Sequence, residues 1–242
     1  MCAVSRRFSK GAIVLYYWVM RTRSSDRPSS SSASRPALGD PALGDVRRSR
    51  GRPREFDLDE AIDRALLLFR ERGFHATSLN DLSAAMQLTP GSIYKAFDDK
   101  RSIFLAALDR YTARRDARSK QLVEAESTGF DKLRALLDFY ADAAHNDEGR
   151  RGCLVVGGVV ELATLDPDMS VRVKAAFKRV EQSLLALVQL GQADGSVSSS
   201  ADAKATARTL LCVLQGMRLI GKTGRTRAEM RGVATQALRL LA

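Results

Sequence analysis

The most constraining feature of this 242-residue chain is the density of helix starts and stops between residues 56 and 100. Asp57-Leu58-Asp59-Glu60 is a variant capping box, Asp at the cap and Glu three residues on, with Phe56 before it as a hydrophobic staple. Ile62, Ala65, Leu66 and Phe69 follow at i, i+3, i+4 and i+7, and Gly73 after Arg72 supplies a left-handed stop, so a first helix spans about 58–72. Thr77 or Ser78 caps a second, short helix whose Leu79, Leu82 and Ala85 face inward and which ends near Met86-Gln87. A three-residue turn then meets Thr89-Pro90, a cap followed by proline at the first helical position, where a missing N–H costs nothing. The third helix, Pro90 to Ala96, is barely two turns long. Its Ile93 and Phe97 are the inward pair, and Thr89, Gly91, Ser92, Tyr94 and Lys95 are left outside or at its start. Small residues first, then an aromatic and a cation, suit a helix pressed end-on into a DNA major groove. Asp98 or Asp99 caps a fourth helix, whose Ile103, Phe104, Ala107, Leu108 and Tyr111 continue the apolar stripe.

Ahead of this module, Arg47, Arg48, Arg50, Arg52 and Arg54 place five cations within eight residues. The core Arg50-Gly51-Arg52-Pro53 is narrow and extended: glycine lets the backbone approach a groove floor, proline keeps the chain straight, and guanidinium groups suit a narrow, electronegative minor groove. A merely solvated basic linker is the competing reading. The net charge of +11 is uneven, with 12 Lys/Arg against 4 Asp/Glu in residues 1–55 and 27 against 24 in the remainder. Residues 56–101 carry 6 Lys/Arg and 8 Asp/Glu, so the helical module is not itself a basic patch, and the arm is expected to supply much of the non-specific attraction to DNA.

The stretch from Gly51 to Tyr111 resembles the DNA-binding domain of the TetR family of bacterial transcriptional regulators, most specifically in the phrases LFRERGFHATSLNDLSAAM and TPGSIYKAFDDK. The resemblance covers about sixty residues in order and without a gap. It implies that the second and third helices form a helix-turn-helix and that the fourth links it to a ligand-binding core. By position, it implies that Thr77 and Ser78 hold backbone phosphate at the entry to the second helix, that Thr89, Gly91, Ser92 and Lys95 reach base edges or nearby phosphates, and that Tyr94 and Lys100 clamp phosphates. Two plainer readings compete: Tyr94 as a packing residue, and His75 as a loop or core histidine rather than a pH sensor.

From residue 112 on, the sequence reads as helices with short breaks and no convincing alternating strands, so the expected fold is all-α. Leu133, Leu136, Leu137 and Tyr140 mark a fifth helix, and 152–165 reads as an unusually apolar sixth. Asp166-Pro167 opens a seventh running to about Gln192, with Val173, Ala176, Phe177, Val180, Leu184, Leu187 and Val188 inward. Two final helices, about 201–221 and 226–241, carry Leu210, Val213, Leu214, Met217 and Val233, Ala237, Leu238, Leu241. The resemblance implies that these last two pair across a two-fold axis into a homodimer, which a protein reading two half-sites of a palindromic operator on double-stranded DNA requires. The alternative is that the stripes serve only the chain's own core. The expected organisation is an extension over 1–46, a basic arm and helix-turn-helix domain over 47–101, and a helical ligand-binding and dimerisation domain over 102–242.

A regulatory reading needs a cavity among the later helices for a small-molecule inducer, of a kind the sequence does not specify. Phe139, Val155, Val156, Val159, Val160, Phe177 and Cys212 are its candidate lining, with Gly157-Gly158 leaving room for a ligand or a close helix crossing and Asp142, His145 and Glu161 as polar groups at its edge. Part of this set belongs to plain core. Cys153 opens the apolar helix behind Arg150-Arg151, where a helix N-terminus and two cations lower a thiol pKa. A thiol switch sensing oxidants or electrophiles therefore competes with a buried structural cysteine.

Other classes find little support. The three cysteines, Cys2, Cys153 and Cys212, and two histidines form neither a metal cluster nor a disulfide framework, so no metal or cofactor is expected and the compartment reads as reducing and cytoplasmic. No GxSxG elbow, phosphate-binding loop, dinucleotide glycine fingerprint or His-carboxylate pairing suggests an enzyme. The apolar run Gly11 to Met20 is about half the length of a membrane span, so no membrane partner is expected. Ser5 to Lys10 before it loosely matches a twin-arginine export signal, but Arg21 and Arg23 follow with no small-residue cleavage site. The plainer reading of this segment is a disordered extension, or a start placed upstream of a true one at Met20. Residues 24–49, rich in Ser, Pro, Gly and Arg and containing PALGD twice in succession, read as a flexible tail. The composite expectation is a ligand-responsive repressor, against the alternatives of a sequence-tolerant architectural DNA-binding protein and a redox or electrophile sensor acting through Cys153.

Overall fold

The computed structural model describes residues 57–161 and 166–241, and within them the chain is all-α, as the hydrophobic spacing indicated. The basic arm, with Arg50 and Arg52, lies outside the described residues.

Helix α1, Leu58–Arg72, buries Ala61, Ile62, Ala65, Leu66, Phe69 and Arg70 and ends at Gly73, whose φ of +82° is the left-handed stop. Helix α2, Leu79–Met86, begins at Ser78 with a complete capping box to Asp81 and ends at Gln87 in the left-handed region (φ 56°). Helix α3, Pro90–Ala96, starts with Thr89 accepting the N–H of Ser92 and with Pro90 at the first helical position. Helix α4, Lys100–Glu124, takes its cap from Asp99. Beyond it run α5 (Gly129–Asp142), α6 (Asn146–Arg151), α7 (Leu154–Glu161), α8 (Pro167–Asp194), α9 (Ala203–Ile220) and α10 (Arg227–Leu238). Short 3-10 turns follow α9 and α10.

One apolar core runs without a break from the first three helices into α4, α7 and α8, joining Phe69, Leu82, Ile93, Phe104 and Leu108 to Leu154, Met169 and Val173. A second core lies among α5, α8, α9 and α10, around Leu133, Leu137, Leu184, Leu210, Leu214 and Ala234. Helix α4 is the long element between the small N-terminal module and this bundle, and α8 is shared by both cores.

Two expectations change. The sixth helix expected over 152–165 is two elements, because the chain breaks at Gly152 (φ +77°) and restarts at Leu154. The Gly152 carbonyl is drawn out of any helical ladder by Arg70, which donates to it at 2.9 and 2.7 Å, and by Arg218, which donates at 3.0 Å. In the last helix Val233 is 40% exposed rather than inward, since α10 buries Met230, Ala234 and Ala237 instead. Among the described residues no helix is long and apolar enough to cross a membrane.

Candidate nucleic-acid interface and core cavity

Helix α3 is held from beneath by Ile93 (2% exposed) and Phe97 (4%), which fix its opposite face outward. That face presents Thr89, Gly91, Tyr94 and Lys95, all exposed, with Tyr94 51% accessible, and Ser92 half-buried with its hydroxyl 3.0 Å from that of Thr89. Gly91 stands in open space: a Cβ built there would meet nothing nearer than Thr89 Oγ1 at 4.0 Å. Nothing in the chain's own packing calls for glycine at this position.

Two residues expected to touch phosphate also have partners within the chain. Thr77 is 1% exposed and its hydroxyl donates to the carbonyl of Gly73 at 2.7 Å, closing the turn between α1 and α2. Lys100 donates to the carbonyls of Phe74 and Thr77 at 2.9 and 2.8 Å, with its ammonium 4.3 Å from the centre of the Phe74 ring. Two of its three donors thus fasten the same turn to the start of α4. Ser78 is exposed, as a phosphate contact must be, although its hydroxyl also donates to Asp81 at 2.5 Å. The Ser78 hydroxyl and N–H hold the Asp81 carboxyl below its usual range, with Arg72 adding to the effect.

The core cavity differs from the expected one. It has a volume of about 30 Å³ and is walled by Tyr111, Arg115, Tyr140, Cys153, Val155, Phe177 and Gln215, with Thr112, Asp116 and Val180 at its more exposed side. That is room for one or two waters, far below the several hundred Å³ of a drug-sized pocket. Of the expected lining, Val155 and Phe177 are in place, and Cys153, which was not among it, joins them. Phe139 stands one layer back, under the guanidinium of Arg115 at 4.5 Å. Val156 and Val159 do not border the cavity, Val160 is 73% exposed at the end of α7, and Cys212 is exposed because α9 buries Ala207, Leu210, Leu214 and Met217 instead.

What the hydrophobic pattern missed is the charge in the cavity wall, at Arg115, and behind it, at Arg218 and Arg70. Arg115 lies over the rings of Tyr111, Phe139 and Tyr140 at 5.7, 4.5 and 4.9 Å. Arg218 is 1% exposed and donates to the Tyr111 hydroxyl at 3.1 Å, while Arg70, 6% exposed, pairs with Glu148 at 2.8 Å. Each of these arginines sits four residues after an apolar position of a buried stripe (Leu66, Tyr111, Leu214), and that spacing is the signal that could have found them. Burial pushes the Tyr111 hydroxyl up to about 12. Burial also works against ionising the Cys153 thiol, but Arg218 and Arg115 outweigh it and the thiol lies below its ordinary value.

Glu161, expected at the pocket edge, does something else. Its Oε2 accepts the backbone N–H of Phe74 at 2.7 Å and of His75 at 3.3 Å, and the ring of His75 lies 3.4 Å from the Glu161 carbonyl. Asp142 binds Arg231, and His145 Nδ1 is buried without a partner.

Comparison with known proteins agrees with the layout. Residues 61–107 match the family described as bacterial regulatory proteins, tetR family, and residues 129–237 match the tetracyclin repressor-like C-terminal domain. Over 198 residues the chain is 31% identical to the HTH-type transcriptional repressor ComR of Escherichia coli, covering 81% of this chain and 93% of that one. A cysteine-substituted form of the TetR family regulator CifR, solved in complex with 26-base-pair double-strand operator DNA, superposes with a TM-score of 0.69 at 29% identity, covering 79% of this chain and all of that one. A TetR family regulator from Agrobacterium tumefaciens shares the fold at a TM-score of 0.69 and 20% identity, over 76% of this chain and 96% of that one.

Proposed function

The chain belongs to the TetR family of bacterial regulatory proteins and is a helix-turn-helix transcriptional repressor, and from that premise we propose that it binds a palindromic operator as a homodimer and leaves it when a small molecule occupies the helical core. The observation that carries the DNA-reading half is the outward face of α3: Thr89, Gly91, Ser92, Tyr94 and Lys95 are presented on a helix fixed by Ile93 and Phe97, with a glycine that the fold does not require. A glycine of that kind fits close approach of another molecule, here the floor of a major groove. Ser78 is the further phosphate contact, and Arg50 and Arg52 of the arm enter the adjacent minor groove.

Dimerisation is supported by what the bundle leaves uncovered. Leu219 and Ile220 at the end of α9 and Val233 on α10 are 50%, 43% and 40% exposed. A second copy packed on these last two helices removes that apolar surface from water and sets two reading heads at half-site spacing. The protein acts in the cytoplasm, where the operator is.

Footprinting on DNA flanking the protein's own gene, with and without residues 1–46, tests this reading. A protected palindrome of two half-sites is expected; salt-sensitive coating with no preferred site, there or across a genomic library, would instead identify an architectural DNA-binding protein.

A second reading of the regulatory half rests on Cys153, whose thiol lies at the cavity wall and is held below its ordinary value by the charges of Arg218 and Arg115. There the signal is an oxidant or electrophile reacting with the thiolate. Replacing Cys153 by Ser abolishes release by such reagents under this reading, and unchanged release by every one tried removes it.

A further inference from the structure

Arg115 in the cavity wall and the buried Arg70 and Arg218 behind it hold more positive charge than the described residues compensate. Arg70 is paired with Glu148, which lies 4.0 Å from Arg218, while Arg115 has no carboxylate partner among the described residues. Arg115 Nη2 is buried without an acceptor, and so are Nε and Nη1 of Arg218. Asp116, at the exposed side, is paired with Arg179 at 3.1 Å, so its charge is already answered. Buried N–H groups of a guanidinium need acceptors, and a compact anion supplies them with charge compensation at the same time.

We propose that this cavity is a carboxylate-binding site, in which the head of a monocarboxylic acid docks against Arg115 and the hydroxyls of Tyr111 and Tyr140, in the field of Arg218 behind them. A carboxylate is planar and accepts two parallel N–H bonds, which matches the fork of a guanidinium. The Tyr111 oxygen accepts from Arg218 at 3.1 Å while its hydroxyl is hydrogen-bonded to the Cys153 sulfur, so a bound carboxylate takes that proton in competition with the sulfur. The volume of about 30 Å³ suits a head as small as a carboxylate, and Thr112, Phe177 and Val180 line the way out for a short apolar tail. Cys153 shares this wall and is the resident competitor: its thiolate is stabilised by the same two arginines, so a bound carboxylate returns the sulfur toward the neutral thiol. The site deepens the regulatory reading above by naming the chemical class of the effector, and only its regulatory meaning rests on that reading.

The test uses the full chain and formate, acetate and butyrate, each against formamide, acetamide or butyramide at matched ionic strength in sodium chloride. Two readouts are taken: the melting temperature, and the rate of iodoacetamide alkylation of Cys153, followed on its own peptide by mass spectrometry so that Cys2 and Cys212 do not contribute. The expected result is a saturable rise in melting temperature and a fall of about fivefold or more in Cys153 alkylation with the carboxylates, neither of them with the amides, and binding weakened about tenfold in Arg115→Gln. Tyr140→Phe, which removes a hydroxyl donor and keeps the ring beneath Arg115, is the second variant and weakens binding even if Arg115→Gln fails to fold. No saturable response beyond that of sodium chloride, or an undiminished response in both variants, overturns the proposal. Operator binding measured in parallel separates the two readings. Operator binding without carboxylate binding sinks this inference alone, and carboxylate binding without operator binding sinks the repressor reading alone.

Discussion

Glu161 Oε2, at the end of α7, accepts the backbone N–H of Phe74 at 2.7 Å, so a carboxylate from the helix that begins at the cavity holds the turn leading into the reading helices. The fit is close: a Cβ on Gly73 would come within 2.4 Å of Glu161 Oε1. A displacement of α7 at its Cys153 end reaches the N-terminal module through eight helical residues and one charge-assisted hydrogen bond. Replacing Glu161 by Ala removes the acceptor of the Phe74 and His75 amides, at a cost of about 1–3 kcal/mol. Hydrogen exchange of these two amides accelerates while the bundle helices keep their protection, and Glu161→Gln, which retains an acceptor oxygen, restores part of it. Unchanged exchange at Phe74 would show that the turn does not depend on this contact.

Gly91→Ala separates folding from DNA reading. The added Cβ meets nothing within ordinary contact, and alanine is the better helix former by about 0.5–1 kcal/mol, so the melting temperature stays level or rises slightly. Operator affinity nevertheless falls about tenfold or more, because the methyl group occupies space that the groove needs. Thermal melts and gel-shift titrations on the same preparation check both halves. A variant that binds as tightly as the parent would move the glycine away from the DNA.

Lys95 and Lys100 lie five residues apart and have opposite fates. Lys95 is exposed on α3, so Lys95→Ala leaves the melting temperature unchanged, weakens operator binding across sequences and lowers the slope of log affinity against log salt by about 1. Lys100 ties the carbonyls of Phe74 and Thr77 to α4 beneath a ring contact, so Lys100→Met lowers stability itself by about 1.5–3 kcal/mol. Urea titrations of the two variants, run beside their salt-dependent binding curves, show whether the two effects divide in this way.

The helix starts were legible because caps are local chemistry. Ser78, Thr89, Asp99 and Asp166 each accept a backbone N–H three residues on, a pattern that a sequence displays directly. The break at Gly152 was not legible, since the groups that hold its carbonyl are 82 residues before it and 66 after it. The cavity was legible only in its apolar half. Periodicity marks a buried face but not which of its members meet, so Val155 and Phe177 reach the cavity while Val160 and Cys212 turn outward. Its charged half went unread because an arginine in an apolar stripe looks like a stripe ending. Arg70, Arg115 and Arg218 come from α1, α4 and α9, and only the fold brings them together.

The junction between α4 and α8 gives the stability a pH dependence that can be signed. Arg101 donates to Asp166 at 2.8 Å and to Asp168 at 2.6 Å, joining the start of α4 to the start of α8. The Arg101 contact, then the Met169 N–H that Asp166 caps, brings the Asp166 carboxyl down to about 2 from an ordinary 3.8. A carboxyl depressed in the folded state binds its proton more readily when unfolded. Its contribution is therefore complete above pH 3.8 and is lost as the pH falls through about 2. Asp166→Asn keeps an oxygen to cap Met169 but abolishes the titration, so its stability deficit against the parent is largest above pH 4 and narrows as the pH approaches 2. Urea midpoints of the two proteins between pH 5 and pH 2 measure that gap. A deficit constant across the range would mean that the ion pair contributes nothing that protonation can remove. Because α8 lines both cores, a pair that sets its first turn against α4 governs how the N-terminal module is seated on the bundle, and loss of operator affinity in Asp166→Asn at neutral pH would follow from the same displacement.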